Sequence, residues 1–289
     1  MRVLRWILAP VFAALLTACG QPEQTQPDQR AEVDDPARQA LLNAVAGEHR
    51  SETSRNRDQY RNPVETLSFF GLEPDMTVVE VWPGAGWYSE ILAPALRDEG
   101  RLVAAGFVDD EGGFRTRINA SYQQLLSAHP EVFDRVEVIA YGPPEFNSLG
   151  EPASADLVLV SRHFHNFIAQ DLVDELLAAA HEVLKDGGTL AVIQHRAQPD
   201  AVPEREARTG YVREQYLIDT IEAAGFALQE KSDINANPND PREHPMGVWT
   251  LPPSFRACAE LEGDEQLECE ARYQAIGESD RMTLRFSKR

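Results

Sequence analysis

The sequence is poor in cysteine, with three among 289 residues, at positions 19, 258 and 269. No Cys-x-x-Cys pair occurs, which excludes a thioredoxin-type redox motif and leaves a cysteine-built zinc site without its second pair of ligands. Positive charge is also scarce. Lys and Arg number 27 against 47 Asp and Glu, for a formal charge of −20. Such an excess argues against a nucleic-acid partner and against attraction to anionic lipid surfaces. The apolar stretch at the start of the chain covers only eleven residues, 6–16, whereas a membrane-spanning helix needs about 20. No internal repeat is visible, and 43% apolar content suffices for one sizeable core.

What the first residues do contain has the form of an export signal. Arg2 and Arg5 precede the apolar stretch, which ends in Leu16-Thr17-Ala18-Cys19-Gly20. Small residues before a cysteine resemble the lipobox of bacterial lipoproteins, in which cleavage leaves the cysteine as a lipidated N-terminus. The other reading is an ordinary signal peptide that happens to end at a cysteine. The resemblance implies a signal peptide over 1–18, acyl chains on Cys19 and a periplasmic protein anchored to a bacterial membrane. Gly20, where retained lipoproteins carry aspartate, favours the outer membrane. Loss of Arg2 and Arg5 with the signal takes the charge from −20 to −22. In that oxidising compartment Cys258 and Cys269 are expected to close a disulfide, two unpaired buried thiols being the alternative.

Residues 19–35 are polar, contain prolines and read as a disordered tether. Asp35-Pro36 has the form of an N-cap followed by proline at the first helical turn, and a helix is expected to about Val45. From 76 onward, strands and helices alternate. Strands are expected at 76–81, 101–107, 136–141, 156–161, 189–194, 226–231 and 282–286. Helices are expected at 88–96, 121–128, 171–184 and 211–224, with "KDGG" (185–188) as the turn that stops the third of these. Solidly apolar strands separated by helices imply an α/β domain over 36–289, a mostly parallel sheet with helices on both faces. About 50 residues separate the last two strands, too many for a structureless loop. They are expected to form a cap at about 235–280, partly helical over 255–276 and stapled by the two cysteines.

The stretch "VVEVWPGAGWYSEIL" (78–92) has the outline of a strand, a glycine loop and a helix. In an open parallel sheet ligands bind at the carboxyl ends of the strands, and glycines there admit a ligand to the backbone. Glu80, Gly84 and Gly86 fit that geometry. With "ADLVLVSRHFHNF" (155–167) and "LKDGGTLAVIQH" (184–195), the chain resembles class I S-adenosylmethionine-dependent methyltransferases over residues 40–289. More narrowly, "WPGAGWYSEILAP", "SDINANPNDPREHPMGVWTLPP" and "AIGESDRMTL" are similar to a group of exported predicted methyltransferases.

The resemblance implies a Rossmann-like seven-stranded methyltransferase sheet with an antiparallel last strand. It also implies S-adenosylmethionine as cofactor and a small-molecule or peptide-like methyl acceptor. Glu80, Trp82, Gly84, Gly86 and Asp109 would then surround the cofactor, Glu80 orienting its methionine end. Two departures stand out. Trp82 replaces a glycine and would narrow or fill the floor of the site. Gly106 falls where the family has the acid that holds the ribose, with Asp109 or Asp110 as stand-ins from the next loop.

Strands four and five end in Arg162, His163, His165 and Asn166, and in His195 and Arg196. In extended backbone His163 and His165 would share a face. Histidine suits proton transfer near neutrality, so His165 is the expected base, with His163 and His195 beside it. Arg162, Asn166, Arg196 and Tyr211 are the expected substrate contacts. Each histidine read singly is equally a strand-end hydrogen-bonding group, and a metal site on the three is a further alternative. Glu278, Asp280 and Arg281 are expected near the same mouth, and Arg57, Tyr60 and Arg61 could close it. A lipoprotein that keeps the fold but binds another ligand or a partner, without catalysis, is the rival reading.

Overall fold

The strand sequences are built to be covered on both faces. In the computed structural model, which describes residues 35–201 and 208–289, β1 (Thr77–Val81) reads TVVEV and β4 (Ala155–Ser161) reads ADLVLVS. Alternate β4 residues go to opposite sides: Val158 and Val160 join one apolar cluster, Leu157 and Leu159 the other. A strand with apolar groups in both directions has no solvated face and needs helices above and below.

The other strands are β2 (Arg101–Phe107), β3 (Glu137–Tyr141), β5 (Leu184–His195), β6 (Phe226–Ser232) and β7 (Arg281–Lys288). They form one seven-stranded sheet in the order β3-β2-β1-β4-β5-β7-β6. Strands β1 to β5 pair in parallel, and β7 runs antiparallel between β5 and β6. The order reverses between β1 and β4, which leaves a crevice at their carboxyl ends.

Helices precede and connect the strands. Among the described residues, four lie before β1: α1 (Pro36–Ala46), α2 (Glu52–Arg55), α3 (Asp58–Arg61) and α4 (Pro63–Phe69). The crossovers carry α5 (Ser89–Leu96), α6 (Phe114–Ala128), α7 (Pro130–Phe133), α8 (Phe164–Gln170), α9 (Val173–Val183) and α10 (Glu214–Ala223). The segment between β6 and β7 carries two 3-10 turns and α11 (Gly263–Gln274). Cys258 and Cys269 are bonded there, with Cα atoms 5.8 Å apart. No helix of the described residues is long and apolar enough to cross a membrane. The expected signal peptide, Cys19 and nearly all of the tether lie outside the described residues.

Three expectations change. The first residues of "KDGG" are not a turn between elements but the irregular start of β5, where pairing with β4 skips from Leu184 to Thr189. Gly187 makes the detour possible at φ +74°. The helix expected from 211 begins at Glu214, and Tyr211 stands before it. Strand four does not run on through the histidines: it ends at Ser161, and Arg162 turns the chain at φ +64°.

Candidate active site

A cavity of about 580 Å³ opens at the carboxyl ends of β1 and β4. Glu80, Trp82 and Gly84 line it from the first strand and its loop, and Ser161, Arg162, His163, His165 and Asn166 from the end of β4. His195 enters from β5, Arg57 from the N-terminal helices, and Trp249 and Pro252–Pro253 from the cap. Glu278 and Ser279 complete it from the residues before β7. Cavities of this size hold small organic ligands.

The glycine loop does two separate jobs. Gly84, at φ +63°, has nothing within 4 Å of where a Cβ would stand, so its backbone is open to a ligand. Gly86 is different. A Cβ there would meet Leu125 at 2.4 Å and Tyr122 at 3.1 Å. Its missing side chain therefore lets α5 pack against α6, and Gly86 is not a cavity residue.

Trp82 also has positive φ, 51°, which glycine would adopt without strain. Its indole is buried and stacks on Phe167 and on Phe107, with centroids 4.0 and 4.8 Å away. The ring N–H donates to the Tyr141 carbonyl at 3.0 Å. The indole is thus part of the wall, and the cavity beside Gly84 persists. On the other side of Gly84 a smaller hollow of about 160 Å³ is bounded by Gly106, Phe107 and Asn119. Neither expected stand-in for the ribose acid reaches it. Asp109 and Asp110 are exposed and tie their own loop, accepting from Thr116 and from backbone amides.

Glu80 is buried, and Ser89 at the start of α5 donates to it at 2.6 Å. Tyr122 donates to Ser89 in turn at 3.0 Å. Burial raises the Glu80 carboxyl to about 7, against the smaller downward effects of the Ser89 hydrogen bond and the Arg162 charge. A carboxyl that titrates near neutrality in a cavity marks a functional candidate.

The histidines line the cavity but do not share a face. His163 precedes α8 and His165 lies inside it, so two residues of separation no longer repeats direction. His163 accepts from Asn166 at 3.1 Å and meets the edge of Trp82. His165 faces His195 at 5.7 Å and Trp249 at 5.6 Å between ring centroids. His195 Nδ1 and Ser279 Oγ share a hydrogen bond of 2.5 Å. Burial, with the neighbouring cations, lowers His163 to about 3, His165 to about 4 and His195 well below the ordinary value. They are neutral at pH 7, able to accept a hydrogen bond but weak as bases. Among the described residues no group of three His, Cys, Asp or Glu side chains is placed to hold a metal ion.

Two expected substrate contacts lie elsewhere. Arg196 is taken up by Asp280, Glu214 and Asp233 outside the cavity. Tyr211 is buried, and its hydroxyl donates to Asp240 at 2.8 Å. Both hold the cap segment to the sheet. Conversely, Trp249 and Ser279 face the cavity with little in the sequence to say so, since nothing in "TLPP" or "GES" distinguishes a lining residue from a packing one.

No family model matches the sequence, and no curated protein matches it. Solved structures match by fold. The [4+2]-cyclase SpnF superposes with a TM-score of 0.52 at 17% identity, covering 88% of this chain and 93% of that one. A geranyl diphosphate C-methyltransferase from Streptomyces coelicolor A3(2), in complex with Mg2+, geranyl diphosphate and S-adenosyl-L-homocysteine, gives 0.50 at 12% identity. That match covers 85% of this chain and 87% of the other. The domain has the class I methyltransferase fold. At such identities the likeness concerns the fold, and the site must speak for the chemistry.

Proposed function

We propose that this chain is an S-adenosylmethionine-dependent methyltransferase acting on a small-molecule acceptor. One observation carries the reading: a buried carboxyl, Glu80, and an unobstructed glycine, Gly84, border a large cavity at the reversal of strand order. These residues fit the cofactor's cationic end. When bound, the cofactor supplies an electrophilic methyl group on a positively charged sulfur.

The chain's own groups then have simple tasks. Glu80, ionised by a nearby cation, holds positive charge at the end of β1. Gly84 lets the ligand approach the backbone. Trp249 lines the cavity from the cap and brings an aromatic ring to it. Ser161 Oγ is buried in the cavity wall without a partner among the described residues, a polar atom suited to a ligand. Neutral His165 and His195 can accept a hydrogen bond from a nucleophile, and alignment supplies most of what methyl transfer needs. Calorimetric titration with S-adenosylmethionine and S-adenosylhomocysteine tests the reading. Absence of both heat and thermal shift at millimolar ligand refutes it.

A second reading is favoured by Trp82 itself. An indole stacked on Phe107 and Phe167, with Gly106 in place of an acid, suits a binding lipoprotein that takes a ligand other than a nucleoside. Mass spectrometry of ligand co-purified with the protein separates the two.

The sequence "LLTACG" supports export and acylation at Cys19, with anchoring to the outer membrane. Expressed in a bacterium, the full chain should partition into detergent, and Cys19→Ala should release it. Equal partition of both forms would exclude the anchor.

A further inference from the structure

The cavity has more positive charge than its acids can balance. Glu278, buried, accepts from Arg57 Nε at 2.6 Å, Arg61 Nε at 3.0 Å and Arg281 Nη1 at 3.0 Å. Arg162 is a fourth guanidinium close enough to act on the same carboxylate. With Glu80, which also feels the Arg162 charge, two acids therefore serve four cations. Arg162 has a backbone bond to Ile193, but no hydrogen bond or ion pair involves its side chain among the described residues. Arg162 Nε is buried without a partner, as are Arg61 Nη1 and Nη2 and Arg281 Nε. Arg61 is partly compensated by Trp87, whose ring lies 4.6 Å from its guanidinium carbon.

Arginine keeps its proton at any working pH, so this excess cannot be relieved by deprotonation. Buried charge without a counterion is costly, and a native site that retains it is built for an ion that arrives. The chain as a whole carries −20, so the local excess is not a general basicity and does not attract anions from a distance. A sulfonium amino acid brings two cationic groups and one carboxylate. Its entry would add positive charge to the cavity, not remove it.

We infer that the second occupant of this cavity, the acceptor in the reading above, is an anion whose carboxylate or phosphate group lies against Arg162 and Arg57. Its identity as an acceptor rests on the proposed methyl transfer, whereas the anion subsite stands on the arginines alone. The planar guanidinium at Arg162, with unfilled donors, can clamp two oxygens of such a group.

The test uses the full chain at constant ionic strength set with sodium chloride. Inorganic phosphate and citrate are titrated while melting temperature and tryptophan fluorescence are read, with and without S-adenosylmethionine. The expected result is a saturable response in the wild type that persists with the cofactor present. Arg162→Gln should weaken it at least ten-fold, and Arg57→Gln, at a more exposed position, should weaken it in the same direction. Arg162→Lys should restore part of the affinity. No saturable response, or unchanged affinity in both glutamine variants, overturns the subsite. Strict competition between phosphate and S-adenosylmethionine overturns its assignment to a second molecule. Where the cofactor does not bind at all, the phosphate titration alone decides, so the two proposals fail separately.

Discussion

Trp82 stacks on Phe167 with ring centroids 4.0 Å apart and planes 10° from parallel. The contact joins the glycine loop after β1 to the helix after β4, across the point where the strand order reverses. A loop residue thereby belongs to the core, at the cost of a left-handed backbone.

Removing that indole should cost about 3–5 kcal/mol, as for other buried tryptophans cut to alanine. Trp82→Gly should be at least as stable as Trp82→Ala, because φ 51° suits glycine. Urea denaturation of the two variants measures both effects. A glycine variant clearly weaker than the alanine one would mean that the backbone relaxes once the ring is gone.

The pH dependence of stability should bear the mark of Glu80. Its carboxyl is raised from 4.5 to about 7 by burial. Its stabilising contribution is thus complete below about pH 4.5, declines as the pH rises, and is absent above about pH 7. The lowered His163 and His165 act oppositely, their contribution being present above about 6.5 and lost as the pH falls towards about 3 and about 4. Comparison with Glu80→Gln isolates the carboxyl. Relative to that variant, the wild type should lose on the order of 3 kcal/mol between pH 4.5 and 7.5. Parallel curves would show that Glu80 titrates normally.

Glu278→Gln should be severe, about 3–5 kcal/mol, because it leaves Arg57, Arg61 and Arg281 without their common negative charge. Added phosphate or citrate should recover part of the loss by supplying the missing negative charge. Thermal melts with and without the anions read both quantities. A mild, anion-insensitive change would indicate that water already balances the cluster.

Replacing Cys258 and Cys269 together by serine should lower stability by about 3 kcal/mol through the freed loop. Trp249, Pro252–Pro253 and Arg256 lie just before the bonded segment and line the cavity, so ligand affinity should weaken too. Denaturation and titration of the double variant, beside the wild type under dithiothreitol, check this. Unchanged affinity with reduced stability would confine the disulfide to a structural role.

Much of the site was legible because chain order and strand ends are local properties. Glu80, Gly84, Arg162, His163, His165, Asn166 and His195 all meet at one cavity, as the strand pattern implied. The roles were less legible. Gly86 and Trp82 sit in one loop, yet the first serves helix packing and the second fills a wall, because their surroundings come from α6, β2 and α8. Arg196 follows His195 directly but is drawn out of the cavity by Asp280, Glu214 and Asp233, which no spacing reveals.

The amino-acid order by itself determined the alternation of strands and helices, and with it the parallel sheet and the edge at which a ligand can bind. It also set the cysteine pair of the cap. Tertiary structure alone decided the charge balance, since Arg57, Arg61, Arg162, Glu278 and Arg281 come from three distant parts of the chain. Hydrophobic periodicity is written along each segment. The pairing of buried charges depends on which segments meet, and only the folded sheet brings those together.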